Sequence, residues 1–370
     1  MTEAITDDKN CMYEDWLARL PGIGSKKKKE LRELAGDAKR LFNIEETPAE
    51  CMELLDEKER AALKKHREIK EEELLRNLEN MEKEQIHFIP YYSPEFPERL
   101  LEIPASPYGI YRKGKLPDPD RLAVAIVGAR RCSGYGESMA LQIGEMLADC
   151  GAEVISGLAR GIDSMAQRGA LNGGGHTYAV LGCGADICYP RENIGLYQDI
   201  LNSGGILSEY CPGTAPLRTH FPARNRIISG LADVVLVLEA KEKSGSLITA
   251  DMALEQGRDV FALPGPITNP MSKGCNNLIR QGAGVIAGIE ELMEDLNLAV
   301  REKKGPSFGK EKKLETTENM VYSYLDLFPK GLGQLEKETG LSVDLLMEAL
   351  INLQMDGLIR EFSKNNYVRL

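Results

Sequence analysis

The chain has 370 residues, of which 42% are hydrophobic and 28% charged, and its net charge is -11. This length allows two or three domains with at least one sizeable core. No run approaches the about 18 apolar residues of a membrane span, and the first residues lack the basic and apolar regions of a signal peptide. The eight cysteines form no Cys-x-x-Cys pair and only four histidines are present, which argues against a zinc site. We therefore predict a cytoplasmic protein without a metal or another cofactor.

The first 85 residues are predicted to form a helical N-terminal domain. Within it, residues 44–85 contain 14 acidic and 8 basic residues and no glycine, which predicts an exposed, acidic helical segment. The stretch from Leu20 to Ser25, Leu-Pro-Gly-Ile-Gly-Ser, precedes four lysines, Lys26 to Lys29. It is typical of a helix-hairpin-helix (SAM-like) unit, in which the start of the second helix faces a phosphate. The alternative is a solvated run of charge after a helix N-cap.

Residues 86–298 are rich in glycine and alternate apolar runs with helical patterns. The apolar runs predict six strands, at residues 122–127, 153–155, 178–181, 205–207, 234–238 and 259–263. The intervening patterns predict helices at residues 136–150, 163–171, 193–202, 224–231, 249–255 and 276–281. Near-continuous apolar strands that alternate with helices predict an α/β core with a parallel sheet covered on both faces.

A polar linker, residues 299–316, leads to a small C-terminal domain at residues 317–370. The pattern there is a helix, the stretch from Leu335 to Gly340, a second helix at residues 342–355 and a hairpin, which is typical of a winged helix. Residues 343–356, the position of the recognition helix, contain no lysine or arginine. The sequence therefore favours protein contact or structural packing for this domain over the reading of a DNA groove.

Four glycine-containing loops follow predicted strands of the core. In an open parallel sheet, ligands bind outside the carboxyl ends of the strands, and glycine amides at helix N-termini suit phosphates. One such loop is expected in any sheet of this kind, but four loops with several arginines favour a phosphate site. Neither a Gly-x-Gly-x-x-Gly fingerprint nor a P-loop occurs. The candidate residues on these loops are Gly128, Arg130, Arg131, Ser133, Gly134, Gly157, Arg160, Gly161, Ser244, Gly245 and Ser246.

The stretch from Arg218 to Gly230 adds further candidates, Arg218, Phe221, Arg224, Asn225 and Arg226. Arginine forks bind phosphates, and an exposed aromatic ring offers a face on which a base can stack. In the alternative, the arginines pin loops by binding carbonyl groups and pairing with carboxylates. We expect Arg218 and Phe221 to be exposed, and we leave open whether Arg224 and Arg226 contact a ligand or brace the loop.

Two residues are considered for catalysis and neither is favoured. Asp163 lies at the start of a predicted helix, where a cap or an arginine partner is the simpler interpretation. Cys183 lies on a glycine loop without a histidine to activate its thiol. We therefore predict a binding protein with no catalytic residue rather than an enzyme.

Taken together, four motifs resemble the DNA-processing protein DprA (Smf) family: Val-Gly-Ala-Arg at 127–130, Ser-Gly-Leu-Ala-Arg-Gly-Ile-Asp at 156–163, Phe-Pro-Ala-Arg-Asn-Arg-Ile-Ile at 221–228 and Ser-Gly-Ser-Leu-Ile-Thr-Ala at 244–250. The resemblance covers essentially the whole chain. It implies an extended Rossmann-like core that binds single-stranded DNA without hydrolysing it. It also implies a homodimer that protects incoming DNA and loads the RecA recombinase onto it during natural transformation.

The same resemblance assigns roles to individual residues. It places Arg130 and Arg218 on phosphates and Phe221 on a base. It lines the pocket with Gly157, Arg160 and Gly161, with amides and hydroxyls from Ser244 to Ser246. The dimer contact is expected late in the core, at about Cys275 to Gly288.

Two other classes of protein compete with this interpretation. The cytokinin-activating phosphoribohydrolases resemble this fold and bind a nucleoside monophosphate at the same sheet edge, but they carry Pro-Gly-Gly-x-Gly-Thr-x-x-Glu. When the two motifs are aligned on Gly245, the catalytic glutamate falls on Ile248 or Thr249, neither of which transfers a proton. A protein-interaction scaffold with a vestigial pocket would require the arginines to be paired internally.

Overall fold

The computed structural model describes residues 11–299, 316–326, 329–363 and 365–369. The N-terminal part is helical, which confirms the prediction from its pattern. Its helices are α1 (residues 11–18), α2 (Ser25–Ala35), α3 (Ala38–Phe42), α4 (Ala49–Leu54), α5 (Glu57–His66) and α6 (Glu71–Lys83).

The acidic segment at residues 44–85 is not simply an exposed helical stretch, so that prediction is wrong in part. Its charged residues face solvent, but Cys51, Leu63 and Leu74 are fully or almost fully buried against Trp16. A net charge counts residues without regard to the face on which they lie, and an amphipathic helix buries its apolar stripe however acidic its other face is. The segment therefore belongs to the core of the N-terminal part.

The lysine run at the start of α2 is also less solvated than a run of charge suggests. Lys27 Nζ donates to Glu59 at 2.6 Å, and Lys28 Nζ donates to the Ala18 carbonyl at 2.5 Å. Lys29 Nζ donates to a serine hydroxyl of the core, whereas Lys26 is exposed. The interpretation as a solvated run is therefore wrong for three of these four lysines.

The start of α2 lies against a carboxylate of the core. Ser25 Oγ donates to Glu209 Oε1 at 3.1 Å. Because the positive end of a helix dipole stabilises a nearby anion, Glu209 takes the place at α2 that the hairpin interpretation assigned to a phosphate.

The core contains a nine-stranded sheet with strand order β1-β2-β6-β5-β4-β3-β7-β8-β9. The seven strands from β3 to β9 pair in parallel, whereas β1 and β2 are antiparallel additions at the β6 edge. The strands are β1 (Ile86–Pro90), β2 (Gly109–Gly114), β3 (Ala123–Val127), β4 (Glu153–Ser156), β5 (Thr177–Leu181), β6 (Gly205–Ser208), β7 (Val234–Val237), β8 (Asp259–Ala262) and β9 (Gly284–Val285).

This sheet confirms all six predicted strands, and it adds three that the sequence pattern did not indicate. The added strands are β1, β2 and β9, which lie toward the edges of the sheet and lack long apolar runs. The sequence of such a strand is a weak indicator, because β propensity depends strongly on context. Pairing with the neighbouring strands decides its conformation.

Helices cover both faces of the sheet, as predicted. They are α7 (Glu98–Leu101), α8 (Gly134–Asp149), α9 (Ile162–Asn172), α10 (Ile194–Ser203), α11 (His220–Leu231), α12 (Gly245–Glu255), α13 (Lys273–Arg280) and α14 (Ile289–Asp295). Along β3, Ala125 packs into the core on one face and Val124 and Ile126 into the core on the other. The sheet is therefore buried on both sides.

Helix α11 begins four residues earlier than its pattern predicts. It starts at His220, so Phe221 and Pro222 lie in its first turn. A proline is tolerated there because the first amides of a helix have no partner within the helix. The consequence is that Phe221 is held by a helix rather than by a loop.

The N-terminal helices pack against the side of the sheet that carries β1 and β2. Two buried carboxylates of α1, Glu14 and Asp15, accept hydrogen bonds from the hydroxyls of Tyr108 and Tyr111. Burial, together with the adjacent carboxylates, raises the pKa of both tyrosines, so their hydroxyls stay protonated and can donate.

The C-terminal part has its own buried cluster around Leu335, Leu350 and Ile359. The predicted helix at residues 342–355 and the hairpin after it are present, whereas a helix at Leu332–Thr339 and a short strand at Lys330–Gly331 are additional. The elements are α15 (Thr316–Tyr324), β10 (Lys330–Gly331), α16 (Leu332–Thr339), α17 (Val343–Met355), β11 (Ile359–Ser363) and β12 (Asn366–Arg369). The strands form a separate sheet of order β10-β12-β11.

Throughout the part of the chain that the structure describes, no helix combines the length and the apolar character that a membrane crossing requires.

Lys28 supplies a test of the way α2 is packed. Burial lowers the pKa of Lys28 to about 8, whereas the unfolded chain keeps the ordinary value. Between these two values the unfolded state binds more protons, so the free energy of unfolding rises with pH. We expect the wild type to gain about 1 kcal/mol over Lys28→Met between pH 7 and pH 9, as measured by urea unfolding. Lys26→Met, on the exposed side of α2, should show no such gain. If the difference in the free energy of unfolding between the wild type and Lys28→Met does not change with pH, the pKa of Lys28 is not lowered in the folded protein.

Candidate functional site

A cleft opens where the order of the sheet reverses. From β3 the chain proceeds outward through β4, β5 and β6, and it then returns to form β7 on the other side of β3. The loops after β3 and β7 therefore diverge, which is the usual ligand position in open α/β sheets. The cleft has a volume of about 640 Å³. It brings together predicted residues from the first and last glycine loops and from the Arg218–Gly230 stretch.

Three exposed cations line this cleft, namely Arg130, Arg218 and Lys243. None of the three forms an ion pair with any residue that the structure describes. A cation without a carboxylate partner keeps its full attraction for an anionic ligand. The cleft is therefore locally cationic although the chain as a whole is acidic.

Two aromatic rings form part of the cleft wall. The rings of Phe221 and Tyr189 lie 5.5 Å apart between centroids, with their planes inclined by 35°. The Arg130 guanidinium lies 5.5 Å from the Phe221 ring centroid, within the range of a cation–π contact. Tyr189 is 42% exposed and Phe221 is half-buried. The wall thus presents aromatic faces next to a cation.

The N-terminus of α12 also lines the cleft. Ser244 caps this helix, and its hydroxyl lies 2.8 Å from the Ser246 hydroxyl. Gly245, the first residue of the helix, is exposed, and Asn225 Nδ2 donates to its carbonyl at 3.3 Å. All four residues line the cleft. The positive end of the helix dipole therefore points at the same space as the three cations.

The first glycine loop contributes fewer lining residues than predicted. Gly128 and Arg130 line the cleft, whereas Arg131, Ser133 and Gly134 do not. Ser133 caps α8, and its amide and hydroxyl both donate to the buried carboxylate of Glu239. These donors are therefore already engaged within the protein.

The second glycine loop is shaped by close packing. Gly161 has φ of +73°, and a Cβ atom there would lie 2.3 Å from the Ala129 carbonyl oxygen. A Cβ atom at Gly157 would lie 2.6 Å from an Arg224 nitrogen. Both positions therefore require glycine so that the loop and its neighbours can approach. Neither residue lines the large cleft, although Gly157 borders a smaller recess of about 50 Å³ next to it.

Arg160 is the one arginine of this second loop, and it is exposed. It forms a bidentate contact with Glu192, of which one distance is 2.8 Å. Its side chain borders the small recess rather than the large cleft. Part of its charge is therefore balanced by the protein.

Arg224 is buried and braces the floor of the site. It is only 4% exposed, and its guanidinium donates to the carbonyl oxygens of Gly157, at 3.1 Å, and Val180. Burial lowers its pKa to about 10, so it stays charged at neutral pH. Arg224 thus joins the carboxyl ends of β4 and β5 to helix α11.

Asp163 is the nearest counter-charge to Arg224. Its carboxylate accepts the Gly157 amide at 3.2 Å, and burial raises its pKa although Arg224 opposes that shift. Helix α9 has no side-chain cap, so the interpretation of Asp163 as a cap is wrong, whereas the charge of Arg224 acts on its carboxylate as expected for an arginine partner.

Arg226 braces a different contact, between α11 and the loop after β6. It forms a bidentate ion pair with Glu209 at 2.7 Å and donates to the Ala105 carbonyl at 3.0 Å. Together, Arg224 and Arg226 hold the wall that carries Phe221.

A scaffold with all arginines paired internally is inconsistent with the site, because Arg130 and Arg218 are not paired with any described carboxylate.

The residues considered for catalysis are poorly placed for it. Thr249 lines the cleft where the rival enzymes carry a glutamate, whereas Ile248 does not. Asp163 is the one carboxylate among the lining residues of this cleft, and it is engaged as described. Burial raises the pKa of the Cys183 thiol to about 11, which disfavours the thiolate. Among the described residues, no group of three or more potential ligands is arranged to hold a metal ion.

Among the lining residues that were not predicted from the sequence, Tyr189 and Lys243 carry side chains suited to binding a nucleic acid. Lys243 directly precedes the last glycine loop, but exposed lysines are too common for the sequence alone to distinguish it. Tyr189 lies in the long loop after β5, far along the chain from Phe221. The sequence signal that could have identified Tyr189 is an aromatic residue directly before a proline, in a loop that follows a strand of the parallel sheet.

The fold and the site together define a class of protein, namely a Rossmann-like α/β core with a cationic cleft at its switch point. The family model for DNA recombination-mediator protein A matches residues 87–297, which is more than half of the chain. The chain therefore belongs to this family, and the resemblance to DprA (Smf) proteins is confirmed.

Relatives of known sequence support the assignment. Protein Smf of Escherichia coli K12 is 46% identical over 215 residues, which cover 58% of this chain and 58% of that protein. The matched part thus spans less than two thirds of the length of this relative. DNA processing protein DprA of Streptococcus pneumoniae is 44% identical over 200 residues, which cover 54% of this chain and 71% of that protein.

Solved structures agree with the sequence relatives. The X-ray structure of the Streptococcus pneumoniae DprA matches with a TM-score of 0.66 and 33% identity, and the match covers 77% of this chain and 97% of that one. DNA processing protein A from Helicobacter pylori matches with a TM-score of 0.52 and 32% identity, over 58% of this chain and 96% of that one. The work on that protein describes a unique single-stranded DNA binding mode.

The brace formed by Arg224 can be tested by a double-mutant cycle. Arg224→Met removes a buried cation and leaves the Asp163 carboxylate without its nearest counter-charge. We expect a loss of about 3–5 kcal/mol in the free energy of unfolding, measured in urea. Asp163→Asn combined with Arg224→Met should cost less than the sum of the two single changes. Strict additivity, or a loss below about 1 kcal/mol for Arg224→Met, would contradict the coupling.

Proposed function

We propose that this protein binds single-stranded DNA in the cleft, without sequence preference and without cleaving it. The observation that carries the proposal is the combination, in one cleft, of an aromatic pair with three cations that have no ion-pair partner among the described residues. The cations attract the phosphates of a nucleic acid, and the aromatic rings offer faces on which unstacked bases can stack.

Arg130, Arg218 and Lys243 are the proposed phosphate ligands. Their side chains are exposed and line the same cleft, so consecutive phosphates of one strand can meet them. The N-terminus of α12, with Ser244 and Ser246, adds hydroxyls and a positive dipole. Arg224 and Arg226 are proposed to hold the wall without contacting DNA, because Arg224 is buried and donates to two backbone carbonyls, and Arg226 is paired with Glu209.

Phe221 and Tyr189 are the proposed base contacts. Every base has a π face, so stacking on these rings is independent of sequence. In a duplex the faces of the bases are covered by their neighbours, and these rings can therefore act only on an unstacked strand. This difference favours single-stranded over double-stranded DNA.

The wider role follows from membership of the family and is also a proposal. We propose that the protein protects incoming DNA and loads the RecA recombinase in natural transformation. We further propose a division into a helical domain (1–85), a core (86–298), a linker (299–316) and a winged-helix domain (317–370).

A homodimer through the region of Cys275 to Gly288 is proposed as well. Its support is that β9, within this region, lies at the edge of the sheet, and that Val285 on this strand is 42% exposed. An uncovered edge strand is a ready partner for a second chain.

The phosphate contacts can be tested by the salt dependence of binding to oligo(dT). Each phosphate contact on a single strand contributes about -0.7 to the slope of log K against log salt. We expect Arg130→Ala and Arg218→Ala each to weaken binding and to flatten the slope by about 0.7. Fluorescence anisotropy at several salt concentrations measures both quantities.

Arg131→Ala is the matched control, because Arg131 is exposed on the same loop as Arg130 but does not line the cleft. It should leave the slope nearly unchanged. If Arg130→Ala and Arg218→Ala bind as the wild type does, the cleft is not the phosphate site.

The aromatic contacts have a different signature. We expect Phe221→Ala to weaken oligo(dT) binding by roughly 1–3 kcal/mol, the value of one stacked base, with the salt slope unchanged. Leu217→Ala, an exposed apolar residue outside the cleft lining, is the control. Circular dichroism separates loss of stacking from loss of folding, and a folded Phe221→Ala variant with full affinity would contradict the proposal.

A further inference from the structure

We infer that the DNA path extends beyond the cleft along a cationic track formed by Lys241 and Lys273, toward the β8 side of the sheet. This inference rests on the proposed binding of single-stranded DNA. It concerns residues outside the cleft lining, since neither lysine lines the cleft, whereas Lys243 does.

The backbone holds these two lysines next to each other. The Gly274 amide donates to the Ala240 carbonyl at 2.8 Å, and the Ala240 amide donates to the Met271 carbonyl at 2.8 Å. A Cβ atom at Gly274 would lie 2.8 Å from the Lys241 carbonyl oxygen. The loop after β7 and the start of α13 are thus in direct contact, and Lys241 and Lys273 sit on either side of that contact.

The segment that precedes α13 is also fixed rather than loosely attached. Asn276 exchanges two hydrogen bonds with Gly265, one of 2.9 Å to its carbonyl and one of 3.3 Å from its amide. Ser272 is buried at the start of the helix. A track built on such a segment is preorganised, so little conformational entropy is lost when a ligand binds.

The charges on the track are available to a ligand. Lys241 and Lys273 are exposed, and neither forms an ion pair within the described ranges. Lys243 continues the line into the cleft. One acidic residue, Glu242, is exposed between Lys241 and Lys243 in the loop after β7, and its charge lowers the local positive potential.

An apolar side chain lies on the same segment. Ile267 is 85% exposed, the highest value among the large apolar side chains of the described residues. Single-stranded DNA alternates anionic phosphates with apolar base faces, so a lysine track beside an exposed apolar side chain fits its chemistry. A polyanion without bases would use only the lysines.

The test compares a short and a long oligo(dT), on the order of 5 and 20 nucleotides, so that only the long one extends beyond the cleft. We expect the Lys241→Ala/Lys273→Ala variant to bind the short oligomer as the wild type does. With the long oligomer it should lose roughly 10- to 30-fold in affinity at 0.1 M salt, and its salt slope should flatten by about 1.4, the value of two contacts.

Two further variants sharpen the result. Glu242→Gln should strengthen binding of the long oligomer, a gain that a merely structural role of the loop would not produce. Lys115→Ala is the matched control, because Lys115 is exposed at the opposite edge of the sheet, beyond the end of β2.

The outcomes separate the two proposals. Failure of the wild type to bind either oligomer would overturn the proposed function and the track with it. Normal binding of both oligomers by the double variant, with an unchanged slope, would overturn the track and leave the cleft intact. Equal losses on the short and the long oligomer would place the lysines inside the cleft and would also overturn the track.

Discussion

The site depends on one buried cation. Arg224 is almost fully enclosed, and it donates to carbonyl oxygens at the carboxyl ends of two adjacent strands, β4 and β5. A guanidinium in a low-dielectric interior is costly unless its donors are satisfied, and these carbonyls together with Asp163 offset that cost. Because Arg224 belongs to α11, this arrangement fixes the helix that carries Phe221 relative to the sheet edge. The exposed ligands of the cleft can then be flexible without the cleft losing its shape.

The arginines of this protein thus divide into two groups by their partners. Arg224 and Arg226 are engaged with carbonyls and carboxylates within the protein. Arg130 and Arg218 line the cleft without a described carboxylate partner. The same division is consistent with the proposed binding of a polyanion by an acidic chain. The segment at residues 44–85 alone has a net charge of -6, whereas the cations of the cleft, which have no carboxylate partner among the described residues, lie together at one edge of the sheet.

The N-terminal helices are coupled to this edge through Glu209. Its carboxylate binds Arg226 of α11 and accepts a hydrogen bond from Ser25 at the start of α2. The tyrosine–carboxylate contacts of α1 add a second attachment to the β1–β2 side of the sheet. The helical part is therefore fixed to the core by buried polar groups, which need partners at defined positions and so define how the two parts fit together. The N-terminus of α2 thus contributes to the attachment of the helical part to the core, through the hydrogen bond from Ser25 to Glu209.

The sequence by itself determined the parallel core and most of the site. Runs such as residues 122–127 are apolar along their whole length, and that pattern is the direct consequence of burial on both faces. The glycine loops and the Arg218–Gly230 stretch are local signals, and they located Arg130, Arg218, Phe221 and Ser244 at the correct edge. The tertiary structure alone decided which charges are paired and which are free. It showed that Ser133 donates a hydrogen bond to Glu239, that Arg160 forms an ion pair with Glu192, and that the Tyr189 ring contacts the Phe221 ring. Each of these contacts joins residues distant in the chain, or depends on which side of a helix faces the core, and no local pattern of residue types contains that information.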